Sequence, residues 1–91
     1  MRRLSVLVLL LALAGCEAAL PVDAGALRAL QEAACRAVIA EHVGRPEAEV
    51  IPRWLSEADG VAQVETLDGD RRHVCRVDVR GRVLGYVHPD G

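Results

Sequence analysis

Apolar positions in this chain fall into three regimes. From Leu4 to Ala14 they run unbroken except for Ser5. Between Asp23 and Gly44 they recur at helical spacing. On a wheel of about 100° per residue, Leu27, Leu30, Ala34 and Val38 form one stripe with Cys35 on its flank, while Arg28, Glu32 and Arg36 fall on the other side. Asp23 can cap this helix, which is expected to run to His42 or Val43, and Gly44 followed by Arg45-Pro46 supplies the stop. Beyond Pro46 the period shifts toward two. Val50–Leu55, Val61–Leu67, Arg72–Val79 and Val83–Val87 read as strands, punctuated by Asp59-Gly60, Asp68-Gly69-Asp70 and Arg80-Gly81. Connections that short join antiparallel neighbours. Pro52 weakens the first strand or places it on an edge. In the third strand Cys75, Val77 and Val79 are expected to share a face, with Arg76 and Asp78 on the other. The pattern specifies an α+β fold, one N-terminal helix packed on a three- to four-stranded antiparallel meander. There is no internal repeat and no low-complexity segment.

Length and charge narrow the function classes. A chain of 91 residues has room for one domain, which excludes doubly wound nucleotide-binding folds and barrels of βα units. Eleven arginines and no lysine stand against thirteen acids, a formal charge of −2, and no basic run announces a nucleic-acid partner.

The apolar start carries its own meaning. Met1-Arg2-Arg3 followed by the run from Leu4 to Ala14 and then Gly15 has the positive n-region and short h-region of a secretory signal peptide. The run is well short of the ~20 residues that a membrane-spanning helix needs. Leu13-Ala14-Gly15-Cys16, placed directly after it, resembles the lipobox of bacterial lipoproteins. That resemblance implies cleavage before Cys16, a diacylglyceryl group on its sulfur and an acyl chain on its new amino terminus, which together suffice for stable anchoring. The chain then divides into a signal peptide at 1–15, a lipidated cysteine and short tether at 16–23, and a small α+β domain at 24–91. Six extended residues reach about 20 Å, so the domain would sit close to the bilayer. Glu17, where an aspartate resembles an inner-membrane retention signal, favours the outer membrane. The expected location is the cell envelope, facing the periplasm. Ordinary cleavage after Ala12-Leu13-Ala14 is the competing reading and would release a soluble protein with a free Cys16.

Removing the signal leaves nine arginines against thirteen acids, with Trp54 and Tyr86 as the only aromatics. A core that small calls for a covalent staple. Once Cys16 is lipidated, Cys35 and Cys75 are the two cysteines left in an oxidising compartment and are expected to pair. The alternative is a thiol nucleophile at Cys75 with His73 as its base, although no third orienting group is evident. His42, His73 and His88 lack the close paired spacing of zinc sites, so they read as a helix-end histidine and two sheet-rim histidines, and neither metal nor cofactor is expected. Arg71, Arg72, Arg76, Arg80 and Arg82 concentrate charge on the third and fourth strands. They read as a patch for an acidic partner, phospholipid headgroups or peptidoglycan carboxylates, or as a solvated face with cross-strand ion pairs. Trp54 is a recognition anchor if exposed and core filling otherwise. No acid pair, phosphate loop or serine triad is present, and no catalytic residue is assigned.

Two further resemblances bear on function. Residues 33–79, with Ala34-Cys35-Arg36-Ala37-Val38, Ser56-Glu57-Ala58-Asp59-Gly60 and a second strand cysteine, resemble a kind of small uncharacterised exported protein of Gram-negative bacteria that has no activity to lend. The helix followed by a meander ending in Cys75-Arg76-Val77-Asp78-Val79-Arg80-Gly81-Arg82-Val83 is similar to PepSY modules, which implies protease binding or inhibition in the envelope; the two cysteines are not part of that pattern. The residues point to a non-catalytic, membrane-anchored envelope lipoprotein that binds another macromolecule, such as an envelope protein, through its sheet face. Trp54, Arg72, Arg76, Arg80 and Arg82 are the candidate contacts. The alternatives are a thiol-based redox or hydrolytic factor using Cys75 and a purely structural envelope protein.

Overall fold

The computed structural model describes residues 23–89. The expected signal peptide, the lipidation site Cys16 and the tether up to residue 22 lie outside the described residues. Helix α1 (Ala24–Val43) begins where expected, with the Asp23 side chain accepting the Gly25 N–H at 3.1 Å. It ends at Gly44, whose left-handed backbone turns its own N–H and that of Arg45 back onto the Ala40 carbonyl. A 3-10 turn at Glu47–Glu49 leads into β1 (Ile51–Ala58), β2 (Val61–Asp68), β3 (Arg71–Asp78) and β4 (Val83–Val87).

All four strands pair antiparallel in sequence order. Two-residue turns at Asp59-Gly60 and Gly69-Asp70 set the registers Ala58↔Val61 and Asp68↔Arg71. Pro52 lies on β1, an edge strand, where its missing N–H costs little. The helix lies across one face of the sheet. Cys35, Ile39 and Ala40 meet Val50, Ala62, Val64, Cys75 and Val77, with Ala34, Val43, Trp54 and Val83 at the fringe. The other face carries no covering element among the described residues. The fold is α+β, as the pattern specified.

Three local expectations need correcting. The buried side of α1 is Gln31, Cys35, Ile39 and Ala40 rather than the stripe through Leu27, Leu30, Ala34 and Val38, and Leu30 is 48 % exposed. The rotation follows from hydrogen bonding. Gln31 Nε2 donates to the Asp78 carbonyl at 3.0 Å, and its Oε1 accepts the Trp54 indole N–H at 2.9 Å. A polar residue therefore enters the interface fully partnered. Arg28, Glu32 and Arg36 consequently face β1 and the 3-10 turn. Glu32 Oε2 accepts the Trp54 backbone N–H at 2.8 Å, and Arg36 Nε donates to the Glu47 carbonyl at 2.8 Å.

The first strand runs past Leu55 to Ala58, through a register shift between Trp54 and Ser56. The third strand stops at Asp78, so Val79 is exposed in the following turn and does not share the buried face of Cys75 and Val77. Asp78 ends the strand because its Oδ1 accepts the N–H groups of Arg80 and Arg82, both at 2.9 Å.

Candidate interaction face

Alternation along β2 and β3 decides which side chains are offered to a partner. Ala62, Val64, Thr66, His73, Cys75 and Val77 lie under the helix. Their alternate neighbours Gln63, Glu65, Leu67, Arg72, Val74 and Arg76 form the uncovered face, joined by Ile51 and Arg53 from β1 and by Gly85 and Val87 from β4. Ile51 is 63 % and Val87 60 % exposed. The face is thus apolar in patches and studded with arginine.

Charge on this face is organised around one carboxylate. Glu65 is only 5 % exposed although it points away from the helix, because two guanidinium groups cover it. Arg72 Nε donates to Glu65 Oε2, and Arg53 Nε donates to Oε1 at 3.1 Å. The hydrogen bond from Arg72 holds the Glu65 carboxyl below its ordinary pKa, with the Arg53 charge adding to the effect and burial opposing it. Cross-strand pairs of this kind stabilise a sheet and set its register. Three arginines against Glu65 and, at the far end of β3, Asp78, whose carboxylate is taken up by the Arg80 and Arg82 N–H groups, leave the face with one positive charge in excess in a chain whose formal charge is −2. Arg76 is exposed and has no ion-pair partner among the described residues.

The other candidate contacts separate. Arg80 and Arg82 belong to the turn after β3, where Gly81 has φ 82° and would bring a Cβ within 2.9 Å of Leu30 on the helix. They sit at the edge of the helix-covered side and do not extend the Arg72–Arg76 face. Arg71 pairs with Asp68 at 3.4 Å, and Arg45 approaches the same carboxylate at 3.6 Å. Trp54 is half-buried beneath α1, with its indole N–H on Gln31 and the Arg28 guanidinium 3.9 Å from its ring centroid. It serves the helix–sheet junction. The arginine cluster read from the sequence is therefore two groups, and sequence reasoning missed Arg53, whose place opposite Glu65 depends on the β1–β2 register.

Cys35 and Cys75 form a disulfide from α1 to β3, with Cα atoms 5.9 Å apart. Both residues are fully buried in the core. In this state Cys75 has no thiol to act as a nucleophile.

The histidines differ from their expected setting. His73 is 3 % exposed, hence a core residue rather than a rim one. Its ring centroid lies 5.5 Å from that of His42 and 4.8 Å from that of His88, with Tyr86 beside them. Burial is the main cause that lowers its pKa, and the charges of His88, His42 and Arg71 act the same way against the opposing pull of Asp68. The helix C-terminus brings His42 over the sheet, a proximity that chain spacing does not reveal. Among the described residues no group of three or more histidines, cysteines or acids is arranged to hold a metal ion.

No protein-family model matches the chain, and no match is found among curated proteins or solved structures.

Proposed function

We propose that this chain is a lipid-anchored, non-catalytic protein of the bacterial cell envelope that binds another macromolecule through the uncovered face of its sheet. The observation that carries this reading is that face itself. Exposed Ile51 and Val87 lie with Leu67 and Val74 among Arg53, Arg72 and Arg76, on the side of the sheet that no described element covers. Two apolar pairs, Ile51 with Leu67 and Val74 with Val87, flank the Arg53–Glu65–Arg72 cluster, and exposed apolar surface set among charges is a mark of an interaction site. The proposed address rests on the lipobox-like Leu13-Ala14-Gly15-Cys16, and a buried disulfide is compatible with an oxidising compartment. A tether reaching about 20 Å keeps the domain near the membrane that carries it.

Cell fractionation tests the anchor. Wild-type protein is expected in the outer-membrane fraction. Cys16→Ser is expected as an uncleaved precursor or as a soluble form. If Cys16→Ser is processed and fractionates like wild type, the lipid anchor is wrong.

A further inference from the structure

One residue on the uncovered face leaves a gap where a side chain would fit. Gly85 lies inside β4, opposite Arg76. Its φ lies outside the left-handed region, and a Cβ built on it would meet nothing within 4 Å. The neighbouring register shift leaves Leu84 unpaired and requires a positive φ at neither residue. A glycine inside a strand weakens it by entropy and lost packing. Such a glycine marks either a bulge, as the register shift beside it does, or the close approach of a ligand or of another backbone.

The missing side chain opens a groove of about 240 Å³ lined by Gln63, Val74, Arg76, Gly85, Tyr86 and Val87. Val74 and Val87 supply its apolar wall, and Arg76 supplies a cation without an ion-pair partner among the described residues. Beside it, β4 is an edge strand whose outer backbone groups have no strand partner among the described residues. Groove, cation and free edge together match the way extended peptides add to a sheet, with backbone hydrogen bonds for affinity and side-chain pockets for specificity.

We propose that an extended acidic segment of another protein pairs with the free edge of β4, one carboxylate side chain crossing Gly85 to reach Arg76 and an apolar side chain two residues away lying against Val87 and Val74. This rests on the reading that the uncovered face binds a macromolecule and adds the class of partner. Charge complementarity selects an acidic occupant. It also disfavours a second copy of this chain packed face to face, because that would oppose two arginine-rich surfaces.

The test uses the lipidated protein in zwitterionic nanodiscs and a labelled synthetic peptide of Glu-Ser-Val-Ser repeats, which puts glutamate and valine on the same strand face, with its lysine-for-glutamate counterpart as control. The acidic peptide is expected to bind at least about tenfold more tightly than the control, and less tightly as salt rises. Gly85→Val and Arg76→Glu are each expected to weaken it by about tenfold or more, while the melting temperature of Gly85→Val stays level or rises. Equal binding of the two peptides, or full affinity in Gly85→Val, would overturn the proposal. So would lowered melting temperatures in both Gly85→Val and Gly85→Ala, which would give the glycine a folding role. If vesicles of phosphatidylglycerol or peptidoglycan sacculi bind in an Arg76-dependent way and the acidic peptide does not, the polypeptide occupant is wrong and the binding face stands. If none of the three binds, both fail.

Discussion

Thr66 and His73 face each other across β2 and β3, and Thr66 Oγ1 and His73 Nδ1 are buried without a hydrogen-bond partner among the described residues. A buried polar atom left unpaired costs about 1–3 kcal/mol. Thr66→Val keeps the β-branched shape and removes the hydroxyl, so it should raise unfolding free energy by about 1 kcal/mol in a denaturant titration. A comparable loss would show that the hydroxyl is satisfied. His73 gives a second prediction at this scale. Its folded pKa is depressed by burial and by neighbouring positive charge. Below its ordinary value of about 6.5 the unfolded chain therefore takes up a proton that the folded protein resists. Its contribution is fully present above that pH and is lost as pH falls toward the folded value. Melting temperature should drop on moving from neutral to mildly acidic pH, and His73→Gln should flatten that drop. An unchanged pH profile in His73→Gln would remove His73 as its cause.

Fastening of helix to sheet is a matter of elements, and the Cys35–Cys75 bond is its strongest link. With the cysteines 40 positions apart, loop-closure entropy assigns the bond roughly 4 kcal/mol. With eight buried apolar core residues among those described, the domain has little to spare. Cys35→Ser and Cys75→Ser should each lower the melting temperature sharply and increase protease sensitivity; a variant that melts like wild type would show that the bond is dispensable. The elements themselves were legible. Asp-Gly turns, a two-residue period and the Asp23 and Gly44 caps specified the helix and a meander of three or four strands because each is local chemistry, and the structure has four. The rotation of α1 was not legible. A helical wheel ranks apolarity and places Leu30 inside, whereas the interface took Gln31, whose amide serves the Asp78 carbonyl and the Trp54 indole at once. That demand comes from other strands.

At the scale of the molecule, the candidate site was half visible in the chain. Arg72 and Arg76 alternate with Val74 on one strand, so their common face could be read directly. Arg53 joins them only through the β1–β2 register, and Gly85 only through the β3–β4 register. Arg80 and Arg82 continue the alternation in sequence but leave it in space, because Asp78 gathers their N–H groups into a turn. Trp54, the obvious anchor by residue type, is spent on the helix. The resulting fold has one face closed by α1 and a disulfide and one face, positive and partly apolar, that no described element covers. Partner binding through the open face is the central claim, and site-specific photocrosslinking in intact cells tests it most directly. A photoreactive residue in place of Gln63 or Val87 should give a discrete crosslinked species that Arg76→Glu abolishes, while the same residue at Ala33 or Ala37 on the exposed side of α1 should give none. Crosslinks from the helix positions, with none from Gln63 and Val87, would contradict the account.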